Sequence, residues 1–169
     1  MKDEPSHELA DTIELHLAYL DFYRATVESK LAGLSESDLR ATRLPSGWSP
    51  LELLKHLVHM ERRWLRWGFT AEQVEHPWGD SGDGPDGRWE VGADETLEGL
   101  LAQLQAGAEF TRSVVTGADP ATIAPAGGRF GTDDRPTLNW ILFHVLQEYA
   151  RHAGHLDVAR ELIDGATGE

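Results

Sequence analysis

The sequence predicts an all-α fold, a four-helix bundle with long connecting loops. In four segments, apolar residues recur at alternating spacings of three and four, as in helices that each bury one face. Glycine and proline gather between these segments, and no stretch gives a convincing strand pattern. A chain of 169 residues is long enough to bury a core, so we expect a single domain over residues 1–169.

Start and stop signals place the helices along the chain. Ser49, Pro50 and Glu52 predict a sharp helix start, because serine caps free amides, proline suits the first helical position and glutamate completes a capping box. Gly117 and Gly165 are expected to end the third and fourth helices. The four predicted helices cover residues 6–33, 49–67, 94–116 and 137–165.

The connectors between the helices are long. In the second connector, Trp78 and Trp89 predict a folded loop that covers a pocket or a partner, since long loops inside a domain are usually functional or disordered. The third connector contains Gly127-Gly128-Arg129, which could bind an anion, although glycine pairs favour a plain turn. These connectors span residues 34–47, 72–92 and 118–136.

Composition restricts the possible partners. The formal net charge of -14 argues against nucleic acid and anionic membranes, which bind basic surfaces. The chain has no cysteine, so disulfides, iron–sulfur clusters, thiolate zinc sites and cysteine nucleophiles are excluded. A bound metal would need His, Asp or Glu ligands, which favour zinc, nickel, iron or manganese. No signal peptide and no membrane-spanning run are visible, so a cytoplasmic protein is expected.

Three residues of metal-binding types lie four residues apart on the last predicted helix: His144, Glu148 and His152. This spacing places them along one helix face, within an apolar seam where ionisable groups are costly unless paired or ligated. A catalytic divalent metal needs three such ligands and an open position. Glu148 and His152 supply two of them, and His56 on the second helix is the best candidate for the third.

Other interpretations of these residues stay open at this stage. The three side chains of the last helix could form an exposed histidine–glutamate network, and His56 could be an ordinary core histidine. His59 and His155 compete for a place in the site, because each lies three residues from a candidate ligand. No short motif indicates a nucleophilic serine or a phosphate-binding loop.

Two stretches resemble the signatures of the DinB-like metalloenzyme superfamily. Gly47-Trp48-Ser49-Pro50, followed by Lys55-His56-Leu57 and Glu61, resembles its second-helix signature. Residues 148–157, Glu-Tyr-Ala-Arg-His-Ala-Gly-His-Leu-Asp, resemble its last-helix signature. The resemblance covers nearly the whole chain and is nearest to an actinobacterial branch.

The resemblance implies a DinB-like four-helix bundle, often dimeric, with a divalent metal on three side chains, commonly a histidine triad. Many members are transferases that use a low-molecular-weight thiol such as mycothiol or bacillithiol. By position, the implied metal ligands are His56, Glu148 and His152. Glu148 departs from the all-histidine version but is similar to the mycothiol-dependent maleylpyruvate isomerase relatives, which have a glutamate there. His59 and His144 receive no implied role and are expected either to orient a ligand or to pack.

The leading hypothesis is a metal-dependent thiol transferase, with no residue assigned a catalytic role. Zinc is the expected metal, with nickel, iron or manganese as alternatives, and mycothiol is the expected thiol. Its partners would be a small-molecule thiol, an electrophilic substrate and a second copy in a homodimer. Arg151 is expected to recognise an anionic cofactor or substrate, or to form a surface salt bridge. The rival hypotheses are a metal-dependent hydrolase and a non-enzymatic helical dimer with a structural metal.

Overall fold

The structure, a computed structural model, describes residues 3–82 and 89–167 and is all-α in these ranges, as predicted. No helix within them is both long enough and apolar enough to cross a membrane. A π-helical segment, Arg63–Phe69, directly follows the α-helix that ends at Arg62. The α-helices are α1 (Thr12–Leu31), α2 (Glu36–Leu39), α3 (Pro50–Arg62), α4 (Leu97–Val115) and α5 (Leu138–Asp164).

The four longer helices form the predicted bundle. Helix α1 packs against α4 and α5, and α3 packs against the same two helices. Helices α1 and α3 therefore lie across the bundle from each other, and α5 borders both. This arrangement brings one face of α5 against α3, which is the helix pair that carries the candidate metal ligands.

The two helices of the candidate site start where the sequence predicts. Ser49 and Glu52 form a reciprocal capping box, in which the Ser49 hydroxyl accepts from the Glu52 amide at 3.2 Å and the Glu52 carboxylate accepts from the Ser49 amide at 2.6 Å. The hydroxyl of Thr137 caps α5, and Gly165 ends it with a left-handed φ of 79°. These caps fix where α3 and α5 begin and where α5 ends.

The helices differ from the prediction in several places. Helix α1 begins at Thr12 rather than at residue 6, because the Asp11 carboxylate caps the Glu14 amide. The first connector contains the short helix α2, capped by Ser35. Helix α4 starts at Leu97, three residues later than expected. The second predicted helix changes to π geometry at Arg63, where hydrogen bonds such as that from the Thr70 amide to the Leu65 carbonyl span five residues.

The centre of the bundle holds a buried polar network with one member on each long helix. The Glu61 carboxylate accepts from Arg24 at 2.5 and 3.2 Å, from Thr111 at 2.5 Å and from Tyr149 at 2.5 Å. Burial and the Glu61 charge together raise the pKa of Tyr149 well above its ordinary value. Burial opposes the charge of Arg24, but Glu61 and Tyr149 outweigh it and raise the pKa of Arg24. The network therefore holds an ion pair in a fixed geometry among all four helices.

Candidate metal centre

The three predicted ligands converge between α3 and α5. His56, Glu148 and His152 each offer one ligand atom, and these atoms all lie within 4.8 Å of one another. Glu148 Oε2 lies 3.2 Å from His152 Nε2 and 3.7 Å from His56 Nε2. Their spacing of four residues sets Glu148 and His152 on one face of α5, and the α3 contact brings His56 to that face.

The chemistry of this donor set fits a divalent metal. Two imidazole nitrogens and one carboxylate oxygen are ligands that zinc and its neighbours in the first transition row accept. His152 and His56 are only 3% and 9% exposed, whereas the Glu148 side chain is 19% exposed. The centre is therefore enclosed by protein around its histidines and reaches solvent at the carboxylate.

The protonation states of the centre also suit a metal. The imidazoles beside Glu148, first His152 through its hydrogen bond and then His56, hold the pKa of the Glu148 carboxylate far below its ordinary value, although burial opposes this shift. Burial is the main cause that lowers the pKa of His152, so its imidazole is neutral at pH 7. A carboxylate and a neutral imidazole are the forms that coordinate metals, and His152 binds through Nε2 once the proton that Nε2 shares with Glu148 moves to Nδ1.

Asp80 orients His56 through the ring nitrogen that does not face the candidate metal centre. Its Oδ2 lies 2.7 Å from His56 Nδ1, and its Oδ1 accepts a hydrogen bond of 2.5 Å from Arg63. Burial raises the pKa of Asp80, but the hydrogen bonds from His56 and Arg63 outweigh burial and lower it to about 2. The ionised carboxylate holds the proton on His56 Nδ1 and leaves the Nε2 lone pair for the centre, as metal-binding histidines commonly require.

Asp80 is a site residue that could not be predicted from the sequence. It lies in the connector of residues 72–92, and a loop residue has no helical periodicity that would relate it to His56. The only signal was the expectation that this loop is folded over a site.

His144 and His155 flank the three candidate ligands. His144 Nε2 lies 3.4 Å from Glu148 Oε1, the oxygen that does not face His56 and His152. His155 Nδ1 lies 3.1 Å from His152 Nδ1. Both are therefore placed to orient a candidate ligand, which is one of the two roles expected for His144.

His59 does not join the centre. Its Nδ1 is buried without a hydrogen-bond partner among the described residues, and burial is the main cause that lowers its pKa to about 4. Gly79 packs directly on its ring, because a Cβ on that glycine would lie 2.7 Å from His59 Cε1. His59 is thus a packing residue under the turn that carries Asp80.

The two tryptophans of the second connector pack against different parts of the structure. Trp89 stacks on the His56 ring at 3.6 Å between centroids, and Trp48 stacks on Trp89 at 4.4 Å, so Trp89 covers the centre as expected. Trp78 instead packs against the Arg63 guanidinium at 4.5 Å and is half exposed, so the prediction that both tryptophans cover the site is wrong for Trp78. Residues 83–88 of this predicted cover lie outside the described residues.

Arg151 is exposed on α5, next to His152 in the sequence. Its positive charge contributes to the lowered pKa of His152 and His155, after burial as the main cause. Among the described residues it forms no salt bridge within 4 Å, so the surface ion pair considered for it is not formed there. Its expected role in binding an anionic cofactor or substrate stays a prediction.

Comparison with known proteins gives a family match. The family model described as Mycothiol-S-transferase matches residues 15–165, a range that contains all three candidate ligands and both helices that supply them. A search of curated proteins finds no match. The chain therefore belongs to the mycothiol S-transferase family, within the DinB-like superfamily that its two signatures resemble.

Proposed function

We propose that this protein is a metal-dependent S-transferase that joins mycothiol, or another thiol of that low-molecular-weight class, to an electrophilic small molecule. The observation that carries the proposal is the convergence of His56, Glu148 and His152 within 4.8 Å. Membership of the mycothiol S-transferase family supports a thiol as the cosubstrate. In the overall reaction the S–H bond breaks, an S–C bond forms at the electrophile, and the proton and any leaving group are released.

In this proposal His56 Nε2, Glu148 and His152 Nε2 hold the metal. Zinc is the metal we expect, and nickel, iron and manganese also accept this donor set. A divalent metal in such a centre lowers the pKa of a bound thiol, which favours the nucleophilic thiolate. Asp80 keeps the His56 ring in orientation, and His144 holds the second oxygen of Glu148.

The tryptophans around the centre exclude water from part of the site, which favours reactions of a thiolate. Trp89 covers one face of His56, and Trp48 covers the outer face of Trp89. Exclusion of water strengthens the electrostatic interactions of the carboxylate and of a bound thiolate. The accessible side of the centre is at Glu148, so we expect the thiol and the electrophile to enter there.

Metal content tests the ligand set directly. His152→Ala should lose most of the bound metal measured by inductively coupled plasma mass spectrometry, because it removes one of three ligands. His7→Ala is the matched control, since His7 is exposed and remote in sequence from the centre. Unchanged metal stoichiometry in His152→Ala would overturn the ligand assignment.

Product analysis tests the activity. Metal-loaded protein with mycothiol and a panel of electrophiles should form thioether products, and a chelator or omission of the thiol should abolish them. Turnover without any thiol, lost on chelation, would indicate the metal-dependent hydrolase instead. A protein that binds no thiol in calorimetry, and whose Tm is unaffected by a chelator, would indicate the non-enzymatic helical dimer.

A further inference from the structure

An arginine lies in a cage of tryptophan rings beside the candidate metal centre. The Arg129 side chain has no hydrogen bond or ion pair with a described residue, and its Nη1 atom is buried without a partner. Three tryptophan rings surround the guanidinium. The distance from the guanidinium carbon to the ring centroid is 4.2 Å for Trp64, 5.0 Å for Trp78 and 5.9 Å for Trp67.

Arg129 differs from the structural arginines of this bundle. Arg24 pairs with Glu61 and Arg63 pairs with Asp80, as is usual for a buried guanidinium. The rings around Arg129 attract its charge, but they do not accept its in-plane N–H donors. Burial and the nearby charge of Arg63 lower the pKa of Arg129. A guanidinium that is fixed in place and has N–H groups without acceptors is complementary to a planar anion such as a carboxylate.

The cage adjoins the candidate metal centre. The Trp64 ring lies 4.2 Å from the His144 ring, and His144 Nε2 lies 3.4 Å from Glu148 Oε1. Burial is the main cause that lowers the pKa of His144, and the charge of Arg129 adds to this shift. Two surface cavities meet at Trp140, one of about 410 Å³ lined by His144 and one of about 480 Å³ lined by Trp64. Open space therefore reaches both sides of the Trp64–His144 pair.

The turn that presents Arg129 is built for close approach. Gly127 has a left-handed φ of 106°, and a Cβ on Gly128 would lie 2.1 Å from the Trp67 carbonyl. The Arg129 amide then donates to that carbonyl at 3.0 Å. The glycines thus form the plain turn favoured by the sequence, and this turn fixes an arginine against the π-helical segment.

We propose that Arg129 binds a carboxylate on the electrophilic substrate, with the flat body of that substrate against the aromatic rings between Arg129 and the metal centre. We place the anion on the electrophile, because the proposed function has the metal centre hold the thiol by its sulfur. The inference rests on the proposed function and names its substrate class: a planar, carboxylate-bearing electrophile.

Two compounds that do not react with a thiol test the proposed carboxylate site at Arg129 by binding alone. Calorimetry on the full-length, metal-loaded protein would compare 3,5-dinitrobenzoate with 3,5-dinitrobenzamide. The benzoate should bind about tenfold more tightly than the amide, because only the benzoate forms charge-assisted hydrogen bonds. Arg129→Gln should remove this preference, while Arg135→Gln, an arginine beside the neighbouring cavity, should keep it. Equal binding of both compounds to the wild-type protein would overturn the proposal, as would loss of the preference in Arg135→Gln alone.

A reactive pair separates this inference from the proposed function. With 4-chloro-3,5-dinitrobenzoate, the thiol sulfur bonds to the ring carbon, the C–Cl bond breaks, chloride leaves with the electron pair and the thiol proton passes to buffer. Arg129→Gln should raise KM for this substrate about tenfold and leave KM for the corresponding amide unchanged. Equal transfer to both compounds in wild-type and variant protein would retain the transferase and overturn the anion site. Arg129-dependent binding without any transfer would retain the anion site and overturn the transferase.

If Arg129→Gln does not fold, two measurements keep the test decisive. Arg129→Lys retains the charge but loses the planar fork, so its preference for the benzoate should be intermediate. In the wild-type protein, the benzoate should raise Tm and the amide should not, because only a ligand of the native state stabilises it. Equal shifts in Tm would overturn the proposal.

Discussion

Asp80 determines which nitrogen of His56 faces the candidate metal centre, so its loss should weaken metal binding. Asp80→Asn removes the charge that holds the Nδ1 proton and also leaves Arg63 without its carboxylate. We expect metal affinity to fall about 10–100-fold, the usual effect of losing such a partner. Competition with a chromogenic chelator measures this affinity.

Asp133→Asn is the matched control, since Asp133 is exposed. Circular dichroism would establish that Asp80→Asn folds. Wild-type affinity in a folded Asp80→Asn protein would show that Asp80 does not orient a ligand.

His59 should make the metal-free protein less stable in mild acid. Its pKa is about 4 in the folded protein, against 6.5 as the ordinary value, so the unfolded chain binds more protons between these pH values. The contribution of His59 is therefore present above about pH 6.5 and is lost as the pH falls toward 4. From pH 7 to pH 5 the loss should be at most about 2 kcal/mol.

Urea denaturation at both pH values measures the effect. His59→Gln should show a shallower loss of stability than the wild-type protein, while exposed His7→Gln should match the wild type. Parallel pH profiles for wild-type and His59→Gln proteins would contradict the lowered pKa of His59.

The sequence could predict the candidate ligands and a possible orienting role for His144, but not the loop residue that orients His56. Glu148 and His152 lie on one helix, where a spacing of four residues places them together whatever the rest of the fold does. Asp80 reaches His56 through a loop, and Arg129 reaches the Trp64 ring through a turn. Such positions depend on tertiary packing and leave no periodic signal.

The turn at Gly128 should tolerate no side chain. An alanine Cβ there would lie 2.1 Å from the Trp67 carbonyl and 2.7 Å from Ala71 Cα, both backbone atoms that cannot rotate away. Gly128→Ala should therefore cost about 1–3 kcal/mol or more in the free energy of unfolding. Gly131→Ala is the matched control, because its Cβ would meet no atom within 4 Å. Equal stability of the two variants in urea would show that the turn does not pack against the π-helical segment as described.

The buried network should tie α5 to the other three long helices. Tyr149→Phe removes one donor to Glu61 and should cost about 1–3 kcal/mol, because a buried carboxylate oxygen loses a hydrogen bond. Tyr19→Phe is the control, since the Tyr19 hydroxyl has no hydrogen bond to another described residue. The free energies of unfolding come from urea denaturation, and a near-zero effect of Tyr149→Phe would mean that water replaces the hydroxyl.

Helix boundaries were predictable where one cap dominates. Ser49 begins α3 as expected, because serine, proline and glutamate act together there. Ser6 and Asp11 are both capable caps ahead of α1, and the sequence does not rank them. The π-helical segment was missed because its residues have ordinary helical composition, and its register depends on contacts such as that of Gly68 with Phe130.

The periodicity of the sequence predicts a four-helix bundle, but it does not predict which helices are neighbours in that bundle. Four amphipathic helices must bury their apolar faces together, which predicts a bundle. The long connectors leave several orders of the helices possible. The contact of α3 with α5, on which the candidate centre depends, is a property of the packed molecule.

A metal at this centre should stabilise the whole bundle, because its ligands come from two helices that are far apart in the chain. A ligand that binds only the folded state stabilises it by about 4 kcal/mol at 1,000 times its Kd. For a domain of this size each kcal/mol raises Tm by roughly 2–4 °C, so Tm should rise by roughly 8–16 °C. Glu148→Gln should lose most of this rise, because it removes the anionic ligand between the two histidines, while His7→Ala should keep it. A chelator should return the wild-type Tm to the metal-free value. An equal rise in wild-type and Glu148→Gln proteins would place the metal elsewhere and separate the metal from the α3–α5 contact.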